Sequence, residues 1–121
     1  MNYKIGIPIL FAALLASSMT IYAGEFFQYN PTKKERAHIK DIIRDNLRDP
    51  DSLIIRSEVN NVRNTTHSSA TLKSCWYIAA KNAYGGYGET QMVYVVSYGE
   101  RISPIIVFGD RAEAACETRM N

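Results

Sequence analysis

The sequence predicts an α+β domain: an N-terminal helix packed on a small antiparallel sheet of about four strands, followed by a short C-terminal helix and fastened by one disulfide. Three observations predict it. Apolar residues first recur at helical spacing, through Ile39, Ile42, Ile43 and Leu47. Beyond residue 53 the pattern changes to β-branched and aromatic runs broken by short turns. Two cysteines, Cys75 and Cys116, lie behind an N-terminus that reads as an export signal.

That N-terminus begins with a single basic residue, Lys4, and continues as an apolar run over residues 5–16. A basic n-region followed by an h-region of this length is a signal peptide, and the small residue Ala23 places the expected cut after residue 23. The alternative is an uncleaved anchor, because no charge occurs between Lys4 and Glu25. Either way the positive-inside tendency holds Lys4 in the cytoplasm and exports the remainder, residues 24–121, as a single domain. The expected location is the bacterial periplasm, with no membrane contact once the signal is removed. No cysteine stands at the cut, so no lipid anchor of the N-terminal-cysteine kind is available.

Residues 25–30 are an aromatic lead-in containing Phe26, Phe27 and Tyr29. Pro31 and Thr32 open the helix, and Glu35 three residues after Thr32 fits a capping box. The Ile39, Ile42, Ile43, Leu47 stripe is the buried face, and the charged residues around it alternate in sign, which describes a solvated surface. Asp49-Pro50 ends the helix. Strands are expected at residues 53–62, 72–80, 91–98 and 102–108, with a polar loop at 64–71 and a tight turn at Gly99-Glu100. The 91–98 strand carries apolar residues on both faces and should be central, whereas Pro104 assigns the last strand to an edge. Residues 110–118 form the final helix, with Cys116 facing inward.

An exported chain with an even cysteine count and no metal-ligand spacing most simply pairs Cys75 with Cys116. Closing a loop of about 42 residues stabilises a small domain by roughly 4 kcal/mol in the chain-entropy model.

Composition narrows the function by exclusion. Of 121 residues, 46% are hydrophobic and 21% charged, and 14 basic against 12 acidic residues give a formal charge of +2. With no run of like charge, a nucleic-acid partner is not expected. His38 on the helix and His67 in the polar loop have no carboxylate or nucleophile beside them, and Ser68 and Ser69 lie in no nucleophile elbow. Asp49 and Asp51 flank a proline that reads as a helix stop. The glycines at 85, 86 and 88 lack the Lys-Ser/Thr of a phosphate loop, and the Asn64-Thr65-Thr66 sequon matters only where exported chains are glycosylated. No enzyme, no metal and no cofactor is therefore expected.

Two segments stand apart: LRDPDS at residues 47–52 and CWYIAAKNAYGGY at residues 75–87. Together they resemble a pattern of small exported bacterial proteins and lipoproteins, in which a helix ends in a DP-x-S step and a strand reads approximately CGxVNAKNSYGGY. Asp49, Pro50 and Ser52 match upstream; Cys75, Ala80, Lys81, Asn82, Tyr84, Gly85, Gly86 and Tyr87 match in the strand and turn. Ala79 replaces an asparagine of that pattern, and Trp76 and Tyr77 replace smaller or polar residues. The resemblance implies an exported fold and names no reaction.

Read physically, the segment is a glycine-rich hairpin whose tyrosines cover the sheet edge. Its functional reading is a recognition loop, in which Trp76, Lys81, Asn82, Tyr84, Gly85, Gly86 and Tyr87 supply flat aromatic area, one charge and close backbone approach. The expected function is that of a non-enzymatic accessory protein with a protein partner at the cell envelope. The alternative is a small inhibitor of a periplasmic or cell-wall hydrolase such as a lysozyme.

Overall fold

The computed structural model describes residues 25–64, 70–99 and 102–121. The signal-peptide reading of residues 1–23, His67 with its serine neighbours, the sequon's threonines and the Glu100 turn position lie outside the described residues.

Five strands form one antiparallel meander in the order β1 (Phe27–Gln28), β2 (Ile54–Asn64), β3 (Thr71–Ala79), β4 (Gln91–Ser97) and β5 (Ile105–Phe108). The fifth strand, beyond the four expected, is the aromatic lead-in, which pairs Phe27 with Arg63 and Gln28 with Val62. Helix α1 (Lys33–Asp45) lies between β1 and β2, and helix α2 (Asp110–Thr118) follows β5. The α+β class, the antiparallel sheet, both helices and the Cys75–Cys116 disulfide are as the sequence predicts.

Helix α1 starts with the expected capping box: Glu35 N–H donates to Thr32 Oγ1 at 3.1 Å, and Thr32 N–H donates to Glu35 Oε1 at 2.9 Å. The Tyr29 hydroxyl adds a second bond to the Glu35 carboxylate at 2.6 Å. Burial opposes ionisation of Glu35, but the Thr32 N–H and the Tyr29 hydroxyl outweigh it and hold the carboxyl below its ordinary value.

The helix was expected to cover one face of the sheet; the structure covers both. On the first face Ile39, Ile42 and Ile43 pack against Leu72, Trp76, Ile78, Val93 and Val95. On the second, Ala112, Ala115 and Met120 pack against Val62, Cys75, Met92, Tyr94 and Val96. The cause is written in β4, where Met92, Tyr94 and Val96 alternate with Val93 and Val95, so both faces of that strand need an apolar cover. The disulfide joins β3 to α2 on the second face, and Met120 Sδ sits 3.5 Å from Cys75 Sγ.

A polar chain crosses the first face to the surface. Trp76 Nε1–H donates to Asn61 Oδ1 at 3.0 Å, and Asn61 Nδ2–H donates to Glu58 Oε1 at 3.1 Å. Arg36 Nε–H bridges both Glu58 oxygens at 3.1 and 2.8 Å, and the remaining guanidinium nitrogens reach Pro31 O and Asn30 Oδ1. The Arg36 bond dominates the lowering of the Glu58 carboxyl below its ordinary value. Two bulges in β2, between Ile55 and Ser57 and between Glu58 and Asn60, each add a residue, so Ile55 and Asn61 return to the same face.

Between β5 and α2 the chain reverses at Gly109 alone. Its φ of +69° is a conformation in which a side chain is strained, and its N–H donates to Met92 O at 2.9 Å.

Candidate functional site

Beyond Ala79 the ladder narrows into a small hairpin that projects past the end of the sheet. Lys81 and Tyr87 form an isolated antiparallel bridge, and Gly88 N–H donates to Ala80 O at 3.0 Å. Asn82 organises the tip. Its N–H donates to Gly86 O at 2.8 Å, its carbonyl accepts from Gly85 N–H at 3.1 Å, and its side-chain Oδ1 accepts from Tyr84 N–H at 3.0 Å. Gly85 supplies the positive φ, +84°, that closes the turn.

The consequence is a pre-shaped turn with its aromatic residue displayed. Tyr84 is 96% exposed and Tyr87 48% exposed, and Lys81 Nζ lies 5.8 Å from the Tyr87 ring centroid. Lys81, Asn82, Gly85 and Gly86 are all exposed, so six of the seven residues singled out from the sequence share one solvent-facing element.

Trp76 is the exception and a correction. It is 1% exposed, on β3 beneath α1, with its only polar atom bonded to Asn61. A side chain at this position contacts the core and not a partner, because Leu72, Trp76 and Ile78 all point to the α1 face by strand alternation. The lead-in divides in the same way. Phe26 packs on the second core with Lys73 Nζ 3.8 Å from its ring centroid, and Tyr29 bonds Glu35, whereas Phe27 is 56% exposed.

The two sequence segments meet in space. Ser52 Oγ accepts from Lys81 N–H at 2.8 Å and donates to Asp49 O at 2.7 Å, with Ser52 itself only 7% exposed. The serine of the DP-x-S step therefore holds the base of the hairpin to the turn that ends α1. Nothing in local periodicity signalled this bond; only the joint presence of the two segments in one pattern hinted at it. Replacing Ser52 by alanine is expected to cost about 0.5 to 1.5 kcal/mol, because it removes the partner of the Lys81 N–H in a half-buried bond. Hydrogen exchange should show the Lys81 amide losing protection while the β4 amides keep theirs; unchanged Lys81 exchange would refute the anchoring role.

Beside the hairpin an open cleft of about 680 Å³ runs between the end of α1 and the start of α2. Arg48, Lys81, Glu89, Asp110 and Glu113 are among its lining residues, so charges of both signs border it. Among the described residues no three of His, Cys, Asp and Glu converge as a metal site, and His38 is exposed on α1, where it lines a shallow pocket with Asp41 and Ser97 and makes no hydrogen bond to either. Asp49 and Asp51 lie in the 3-10 turn Pro50–Ser52 and its cap, where Asp49 contributes its carbonyl to Ser52. Among the described residues no helix is long and apolar enough to cross a membrane. Compared with family models, curated proteins and solved structures, the chain has no match.

Proposed function

We propose that the chain is a non-enzymatic accessory protein of the bacterial periplasm that binds a protein partner at the cell envelope through the Tyr84 turn. The observation that carries this reading is the 96% exposure of Tyr84 on a turn whose backbone is fixed by three bonds to Asn82. A tyrosine on a fixed backbone has few side-chain torsions left to lose on binding, a property that makes it a common interface anchor. A disulfide across the core is compatible with an oxidising compartment, and the DP-x-S and KNxYGGY resemblance supports the exported setting.

Cross-linking in intact cells followed by capture from the envelope fraction tests the reading. Wild-type protein should retain a specific partner that the Tyr84→Ala, Tyr87→Ala variant loses, while stability changes by no more than about 1 kcal/mol, because Tyr84 is solvent-facing and Tyr87 half-exposed. Equal capture by both proteins would remove the turn from the interface. Inhibition of lysozyme by the purified protein, abolished in the same variant, would instead favour the hydrolase-inhibitor reading.

A further inference from the structure

The sheet ends in two unlike edges. β1 has two residues, too short to template another strand, whereas β5 reads Ile-Ile-Val-Phe without a charge. Soluble proteins usually blunt such an edge with charge or irregularity. In the β4–β5 ladder Tyr94 faces Val107 and Val96 faces Ile105, and Gly109 N–H extends the ladder by donating to Met92 O at 2.9 Å. Hydrogen-bonded pairs alternate in an antiparallel ladder. Ile105, Val107 and Gly109 thus direct their backbone groups to β4, and Ile106 and Phe108 direct theirs to the open side. Among the described residues no strand pairs with that side.

The same edge borders a groove of about 320 Å³ between β5 and α2. Tyr94, Ile105, Val107 and Ala115 form its apolar lining, Arg111 and Arg119 its only charges, and both arginines are exposed without an ion pair among the described residues. Ile102 and Ile105, at 55% and 46% exposure, extend the apolar surface. A second copy docking edge to edge would be isologous and present this same groove, which carries two arginines and no carboxylate, so it offers them no counter-charge. A partner carrying carboxylates meets the opposite situation.

We propose that the β5 edge docks an extended segment of another protein in which apolar residues alternate with glutamate or aspartate. Added as a sixth strand, the segment accepts from the N–H groups of Ile106 and Phe108 and donates to their carbonyls. Period-two alternation puts its apolar side chains beside Ile106 and Phe108 and its carboxylates over the groove toward Arg111 and Arg119. This surface is separate from the Tyr84 turn and does not depend on it.

The test uses a labelled synthetic peptide alternating valine and glutamate, with an equally long valine-lysine peptide as the control, followed by fluorescence anisotropy and amide NMR. The glutamate peptide should bind and shift the Ile106 and Phe108 amides, and the Arg111→Glu, Arg119→Glu variant should weaken binding by roughly tenfold or more. Ile106→Pro should abolish it while unfolding stays cooperative, since the amide removed is one that β4 does not use. Should that variant fail to fold, the charge reversal alone decides. Tyr84→Ala should leave peptide binding unchanged, which separates this proposal from the function of the turn. Equal binding of the lysine peptide, unmoved Ile106 and Phe108 amides, or a homodimer in sedimentation that Ile106→Pro dissolves would each overturn it.

Discussion

Replacing Trp76 by alanine is expected to destabilise the domain by about 3 to 5 kcal/mol, the range for emptying a buried aromatic site. Trp76 is the largest of the fully buried side chains, 1% exposed beneath Ile39 and Ile43, and its indole N–H satisfies Asn61 Oδ1. The substitution both opens a cavity and strands a buried acceptor, a loss of about 1 to 3 kcal/mol when unrelieved. A small domain holds only about 5 to 15 kcal/mol in total, so the variant sits near the folding threshold. Trp76→Phe separates the two contributions, keeping most of the ring volume and losing the indole N–H. The alanine variant should unfold roughly 2 M earlier in urea by circular dichroism, with the phenylalanine variant between it and the wild type. A shift below about 1 kcal/mol for alanine would remove Trp76 from the centre of the core.

The second large effect is expected on the opposite face. Helix α2 has nine residues, too few to persist alone, and its buried side chains are chiefly Ala112 and Ala115. Alanines bury little area, so hydrophobic contact alone docks the helix weakly. The Cys75–Cys116 bond, spanning a sequence separation of 41, supplies what the contact lacks. Replacing both cysteines by alanine should cost about 4 kcal/mol by the chain-entropy model, within the general range of about 2 to 5. The loss should be uneven. Amide exchange should accelerate first in α2, as the second face opens over Tyr94 and Val96, while β3 and β4 beneath α1 stay protected longer. Equal protection of α2 with and without the bond would show that packing alone holds the helix.

Both effects arise from the same feature of β3 and β4. Each strand buries apolar residues on its two sides, which demands two covers, and the molecule supplies them from helices before and after the long strands. One cover is a helix with three buried isoleucines. The other is a helix of small residues secured by a covalent bond.

Local rules made much of this legible. Thr32 and Glu35 announced the helix start, the Ile39, Ile42, Ile43 stripe its buried face, Pro104 the edge position of the last strand, and the even cysteine pair the disulfide. Each is a statement about residues within one turn or one strand, or about two sulfur atoms with no other partner. Tertiary structure alone decided the rest. A tryptophan in a turn-forming motif has the same sequence signature whether it faces a partner or a helix, and the register of β3 chose the helix. The lead-in became a fifth strand because β2 offered Val62 and Arg63 as a free edge. Ser52 reached Lys81, and the outer side of β5 is joined by no other strand among the described residues, because strand order brought some distant residues together and left others at the rim. Periodicity says which side chains must leave water; only the closed sheet decides what they leave it for.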